Sequence, residues 1–256
     1  MPLRTAIITG ASRGIGRAIA IRLGRDGLRT VLSARDPEAL AEVRQAIEEH
    51  GGAADVLALD LRQPDAPAKL ADFAVERTGR IDIVVNNAGA TRRGDFLRLT
   101  DEDWSDGFAL KFFGAVRLTR AAWPWLKAAA GSVIFISGIG GRTPGAEFAI
   151  GGPVNAALLS LTKALAAAGT QDAIRVNTIN PGTIRTQRFQ SRLESLAAGS
   201  GMELAVAERQ FVHDAGITRI GEPEDVANLV AFLISKDSTL LHGATIDLDG
   251  GATKTL

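Results

Sequence analysis

The sequence contains no cysteine, no tyrosine and only three histidines among its 256 residues. Without cysteine there are no disulfides, no thiolate nucleophile and no thiolate metal ligands. His50, His213 and His242 are far apart in the chain, and none belongs to a ligand-spaced pair. A zinc or iron site is therefore not expected, and no metal is assigned. Without tyrosine, no phenol is available as an acid, base or hydrogen-bond donor. Net charge is lacking as well, because 29 Lys and Arg balance 29 Asp and Glu. That balance removes any global electrostatic case for nucleic acid or an anionic membrane as a partner. No apolar run reaches the roughly 18 residues that a membrane-spanning helix requires. Met1-Pro2-Leu3-Arg4 leads straight into an apolar segment, without the basic and apolar regions of a secretory signal, so a cytoplasmic location is expected.

What is present is a soluble, globular composition, 46% apolar and 23% charged. Short β-rich runs occur at Ala6-Ile7-Ile8, Thr30-Val31-Leu32, Val56 to Leu59, Ile81 to Val85, Val133 to Ile136, Ile174 to Ile179 and Ala244 to Leu248. Most are apolar throughout, as strands buried on both faces of a parallel sheet should be. Helical stretches lie between them. Asp36-Pro37 supplies an N-cap and a first-turn proline; Leu40, Val43 and Ile47 share a face, and Gly51 ends the helix. Thr100 and Asp103 form a capping-box pattern for a later helix. Alternating strands and helices predict a single-domain α/β fold over 1–256, a Rossmann-type doubly wound parallel sheet of about seven strands flanked by helices. Gln187 to Gly216 is polar and weakly helical, and its Gly199-Ser200-Gly201 punctuation fits a mobile substrate lid.

Thr9-Gly10-Ala11-Ser12-Arg13-Gly14-Ile15-Gly16 follows the first strand and opens the first helix. Glycines there let the backbone approach a pyrophosphate, which meets free N–H groups and the positive end of the helix. Further on come Asp60-Leu61, Asn86-Asn87-Ala88-Gly89, Asn180-Pro181-Gly182 with Ile184 and Thr186, Gly221-Glu222-Pro223-Glu224-Asp225-Val226-Ala227, and Asp249-Gly250-Gly251. From about Thr5 to Gly251, this ordered set resembles the short-chain dehydrogenase/reductase family. The resemblance implies a nicotinamide dinucleotide bound by Gly10, Ser12, Arg13, Gly14, Ile15, Gly16, Asp60, Leu61, Asn87, Ala88, Gly89, Pro181, Gly182, Ile184 and Thr186. It places Asp60 at the adenine, Asn87 on the ribose side and Pro181 to Thr186 facing the nicotinamide.

The second strand ends Ser33-Ala34-Arg35, so Ala34 stands where an acid would accept from an NAD ribose. Arg35 and Arg13 are placed to clamp a 2′-phosphate instead, which favours NADP(H) over NAD(H). The alternative is that both are solvated surface arginines.

The family's mechanism uses a tyrosine, a lysine, a serine and an asparagine. Asn155-Ala156-Ala157-Leu158 through Leu161-Thr162-Lys163 resembles the helix that begins at its lysine. The lysine position is then Asn155, the tyrosine position Gly151, the serine position Gly138 with Ser137 adjacent, and the asparagine position Lys111. All four are changed, so the chain reads as a divergent member without the tetrad. Lys111 and Asn155 look exchanged, which would return an ammonium to the same pocket. Gly151-Gly152-Pro153 is expected to vacate the tyrosine's space and expose a helix N-terminus suited to an oxyanion. Lys111, Asn155, Ser137 and Gly151 are thus the candidate catalytic region, the alternative being a collapsed pocket in which Lys111 reaches solvent. Glu147 and His213 are lesser acid/base candidates, both more simply read as solvated. Arg92-Arg93, Arg142, Arg185 and Arg188 lie in loops after strands, where an anionic small-molecule substrate would bind.

Three functions fit. The first is an atypical NADP(H)-dependent oxidoreductase acting on a carbonyl or alcohol. The second is a lyase or isomerase on the same scaffold, and the third a non-catalytic NADP-binding protein. The complete cofactor motifs favour the first. The apolar stretches of Asp101 to Lys127 and Pro153 to Ala168, which the family pairs between subunits, imply a homodimer or homotetramer.

Overall fold

Ile7, Ile8, Val31, Leu32, Val84, Val85, Ile134 and Phe135 have no exposed surface, because each belongs to a strand covered on both faces. The structure is a computed structural model and describes residues 3–255; Met1 and Pro2, the start of the segment read for a secretory signal, and Leu256 lie outside the described residues. The strands are β1 (Thr5–Thr9), β2 (Arg29–Ala34), β3 (Ala53–Ala58), β4 (Ile83–Asn86), β5 (Ser132–Ile136), β6 (Arg175–Pro181) and β7 (Thr245–Leu248). They form one seven-stranded sheet in the order β3-β2-β1-β4-β5-β6-β7. Every pairing is parallel, with Ile8 opposite Leu32 on one side and Val85 on the other.

The helices are α1 (Gly14–Arg25), α2 (Pro37–Glu48), α3 (Ala66–Thr78), α4 (Asp101–Phe108), α5 (Ala115–Ala129), α6 (Gly151–Asp172), α7 (Gln187–Ser200), α8 (Leu204–Ala215) and α9 (Pro223–Leu233). One face of the sheet packs Ile19 of α1, Leu40 of α2 and Val226 of α9. The other packs Leu70 of α3, Leu118 of α5 and Leu158 of α6. The chain runs outward from β1 to β3, then returns to β4 on the other side of β1. That reversal opens a crevice at the carboxyl ends of β1 and β4, where ligands bind in such sheets.

Local chemistry sets several boundaries. The Asp36 carboxylate accepts from Glu38 N and Ala39 N at 3.1 Å each, and Thr100 and Asp103 close a reciprocal capping box. Between α4 and α5 the helix does not run straight on; Ala109–Gly114 is a π-helical segment. Such wider turns are rare and concentrate at functional sites. The segment 187–216, read as weakly helical, consists of the two helices α7 and α8. Phe189, Leu193 and Ala197 recur every fourth residue, which is helical spacing, and bury against Ala207 and Ile220 in a small core of their own. No helix among the described residues is long and apolar enough to cross a membrane.

At the sheet's edge Asp55 is 6% exposed and accepts from Arg29 Nε at 2.8 Å and Arg77 Nε at 2.9 Å. Burial pushes its carboxyl up, but the two guanidiniums outweigh that and hold it below the usual range. Asp55→Asn is expected to cost about 1–3 kcal/mol, read from the urea midpoint. Because the folded-state pKa is depressed, the wild-type advantage is present at neutral pH and is lost as pH falls below the ordinary value of 3.8.

Candidate active site

The turn after β1 is shaped for close backbone approach. Gly10 and Gly14 have φ of +65° and +53°, angles that cost a side-chain-bearing residue strain. A Cβ on Gly16 would lie 2.1 Å from the Gly10 oxygen, so only glycine fits there. Thr9, which sequence reasoning did not single out, is the hub of this turn. Its hydroxyl accepts from Asn87 N and Ala88 N, each at 3.0 Å, and donates to Val85 O at 3.3 Å. Asn87 Nδ2 in turn donates to Thr9 O and Gly10 O at 2.9 and 3.2 Å. Asn87 therefore fixes the glycine turn.

The start of α1 carries no acid in its first turn, and its N-cap Arg13 makes no side-chain capping bond. The first amide groups are left open to an anion. Ser12 lies half-buried in the same turn, while Ile15 packs down onto the core. Arg13 and Arg35 are exposed, and neither side chain makes a hydrogen bond or ion pair among the described residues, although the Arg35 charge acts on Asp60. On the far side, Gly182 N donates to Leu248 O at 3.0 Å, and Pro181 and Ile184 are buried. Thr186 caps α7, and its methyl lies 3.2 Å from where a Gly14 Cβ would stand. The two halves of the crevice thus meet at Gly14 and Thr186. These features fit a dinucleotide: the turn is glycine-cradled, the helix end is free of acid, and Arg13 in the turn and Arg35 just past β2 make no ion pair among the described residues.

Two expected contacts are altered. Asp60 is engaged by Arg62, which donates to it from its backbone N at 3.1 Å and from its guanidinium at 2.6–3.0 Å. Hydrogen bonding from Arg62 holds the Asp60 carboxyl below its usual range, although burial opposes the shift. An adenine amino group would meet an already neutralised carboxylate. The Leu61 side chain is 4% exposed and belongs to the core, so only its backbone is at hand for a nucleotide.

Beside the crevice the π-helical turn carries Lys111. Its Nζ donates to Ser137 O at 2.7 Å and Asn155 Oδ1 at 2.6 Å. The side chain lies across Gly89, whose added Cβ would sit 2.8 Å from Lys111 Cδ. Some of the residue stays exposed, but burial of the ammonium, reinforced by the Arg188 charge, lowers its pKa to about 7. Asn155 is 3% exposed and holds the ammonium.

Ser137, read as adjacent to the serine position, donates from its Oγ to Asn155 O at 3.1 Å and so contacts the α6 backbone. Gly138 at φ +151° leaves little room for a serine, since a Cβ there would lie 3.0 Å from Asn155 Nδ2. The expected opening at the start of α6 is also absent. The Phe148 ring is packed so closely on Gly151 that an added Cβ would lie 2.0 Å from Cζ, and Pro144 covers Gly152. Phe148, missed from sequence, fills the space assigned to a tyrosine, so the helix end offers no oxyanion pocket. Its only sequence signal is that an aromatic shortly precedes a glycine pair. His213 is 85% exposed beside Asp214, and Glu147 is an exposed carboxylate with no side-chain hydrogen bond among the described residues. No group of three or more potential metal ligands occurs among the described residues.

An open parallel sheet with a glycine-rich turn at its topological switch point and a side-chain pocket beside it is the architecture of a dinucleotide-binding α/β protein. The chain belongs to the short-chain dehydrogenase/reductase family: residues 10–253 match the family described as enoyl-(acyl carrier protein) reductase. An uncharacterized oxidoreductase of Mycobacterium tuberculosis is 36% identical over 252 residues, covering 98% of this chain and 92% of that protein. The oxidoreductase UcpA of Escherichia coli K12 is 34% identical, covering 98% and 94%. Among solved structures, L-sorbose reductase of Gluconobacter frateurii, complexed with NADPH and L-sorbose, superposes with a TM-score of 0.95. It is 32% identical, with 100% and 98% of the two chains covered.

Proposed function

We propose that the chain is an atypical NADP(H)-dependent oxidoreductase acting on a carbonyl or alcohol, in which Lys111 performs the proton transfer usually assigned to a tyrosine. The observation that carries this reading is the coordination of Lys111 Nζ. Two of its positions are occupied by the acceptors Ser137 O and Asn155 Oδ1. The third is a proton in the ammonium form and a lone pair in the amine form. The group can therefore change charge without losing either hydrogen bond. A pKa near the working pH is the condition under which a general acid or base is most effective.

The nicotinamide, when bound, supplies or accepts the hydride at the carbonyl carbon. Gly10, Gly14 and Gly16 would let backbone amides meet its pyrophosphate, and Arg13 and Arg35 would hold the 2′-phosphate. In the reductive direction the Lys111 ammonium donates to the carbonyl oxygen and gives it a proton as the alcohol forms. In the oxidative direction the amine takes that proton back. Asn155 and Ser137 O hold Nζ in place, and Phe148 keeps the former tyrosine space dry.

Titration with NADPH, NADP⁺, NADH and NAD⁺ by calorimetry tests the reading. Binding of the phosphorylated pair, followed by substrate-dependent loss of NADPH absorbance, supports it. Uptake of none of the four defeats it, and product formed without any absorbance change favours a lyase or isomerase. Arg35→Ala is expected to weaken NADPH binding about tenfold while sparing NADH, the scale of one charge-assisted hydrogen bond.

A further inference from the structure

The arginines along the carboxyl edge of the sheet fall into two sets. Arg92 is paired with Asp103 at 2.9 Å, Arg142 with Asp247 at 2.7 Å, and Arg185 with Glu208 and Glu222 at 2.7 and 2.9 Å. Their donors are committed to holding loops and helices together. Arg93 and Arg188 make no side-chain hydrogen bond or ion pair among the described residues. Arg93 is nevertheless placed: its guanidinium carbon lies 4.3 Å from the centroid of Phe148, the ring packed on Gly151. Contact through a ring leaves the N–H donors unspent. Arg188 sits in the first turn of α7, just past Thr186.

The charges around these two are lopsided. Arg188 acts on both Lys111 and Arg93, and Arg192, one turn further along α7, acts on Arg93 as well. Glu147 is the one carboxylate whose charge acts on Arg93, and it forms no ion pair with it. Burial, then the Arg192 charge, lowers the Arg93 pKa against the pull of Glu147, and Arg188 adds to the lowering. Arg188 and Arg192 thus add two positive charges to Arg93 against a single carboxylate, and Arg188 is the one whose charge also reaches the Lys111 ammonium. An anion entering there relieves the repulsion and gains forked hydrogen bonds.

We infer that the substrate carries an oxyanion group, a carboxylate or a phosphate, which Arg93 and Arg188 hold beside the carbonyl that faces Lys111. The carbonyl part rests on the oxidoreductase reading, whereas the anion part rests on the arginines alone. Two probe pairs test it by calorimetry on the full chain, with and without NADPH: levulinate against methyl levulinate, and dihydroxyacetone phosphate against dihydroxyacetone. The charged member of at least one pair is expected to bind about tenfold or more tightly than its neutral counterpart, the scale of a forked charge-assisted contact. A preference in one pair alone names the anion. Arg188→Gln, on an exposed residue, should remove most of the preference at an unchanged melting temperature, and Arg93→Gln should remove it with only the small loss of stability expected from its contact with the Phe148 ring. Equal binding within both pairs, no binding of either anion, or a preference that survives both substitutions overturns the inference. A chain that prefers the anions but takes up no nicotinamide nucleotide keeps the anion site and loses the reductase reading. Binding of NADPH with no anion preference has the opposite meaning.

Discussion

Lys111→Met is expected to lower kcat for carbonyl reduction by roughly 10²–10⁴-fold, the usual contribution of a positioned general acid. The pH profile separates loss of a proton donor from loss of structure. In the wild type the donor must be protonated, so the reductive rate should fall as pH rises through about 7, the value to which burial and Arg188 bring the ammonium. The oxidative rate should rise over the same range. Both limbs should disappear in Lys111→Met, whatever residual turnover survives. A profile that keeps its limb near 7 in the variant would assign the proton to another group, and the proposal for Lys111 would fail. Stability carries a second, independent signature. The folded-state value lies below the ordinary 10.5, so the unfolded chain binds more protons between about 7 and 10.5. The penalty for burying the charge is fully present below about 7 and is relieved as pH rises above it. The wild type should therefore gain stability relative to Lys111→Met as pH is raised from 7 towards 10, seen as converging or crossing urea midpoints.

Placing a tyrosine at Gly151, the position that the family resemblance gives to it, is expected to damage the protein. A Cβ at Gly151 would lie 2.0 Å from Phe148 Cζ and 2.1 Å from Cε2. The ring cannot yield easily, since it also abuts Gly140 and carries Arg93 on its open side. Gly151→Tyr should thus destabilise by about 3 kcal/mol, the upper end of ordinary overpacking. Removing the obstruction should reverse much of this, so Gly151→Tyr/Phe148→Gly is expected to be more stable than Gly151→Tyr alone. Denaturant unfolding of the two single variants and the double variant gives the coupling directly. If the double variant is no more stable than Gly151→Tyr, Phe148 is not the occupant of the tyrosine space. Activity need not return with stability, because Asn155 rather than lysine would stand beside the new phenol.

Two elements together hold an ammonium in this pocket. The lysine comes from the π-helical turn, and the asparagine on α6 receives it. Gly89 adds a constraint, because any side chain there would press on Lys111 Cδ. Within the Asn86 to Gly89 segment, Asn87 and Ala88 hold the glycine turn and Gly89 makes room for the proposed proton donor.

Much of this was determined by the sequence alone. Uniformly apolar runs such as Ile7-Ile8 and Val84-Val85 can be satisfied only by strands covered on both faces, and their alternation with capped helices leaves few topologies beyond a doubly wound sheet. The glycine turn was legible because backbone angles and close approach restrict residue type at single positions. The absence of tyrosine is a fact of composition. Side-chain direction and partner choice were decided only by the tertiary structure. Ser137 was legible only as a neighbour of the serine position, and the structure alone shows its hydroxyl donating to the α6 backbone. Phe148 carried no motif, because filling a space is a property of the space, which exists only once β5 and α6 are packed together. The loop arginines looked alike as residues. Carboxylates distant in the chain, Asp247 for Arg142 and Glu208 for Arg185, separated the structural ones from Arg93 and Arg188. Ion pairing depends on distances of a few ångströms between remote segments, and local sequence does not encode them.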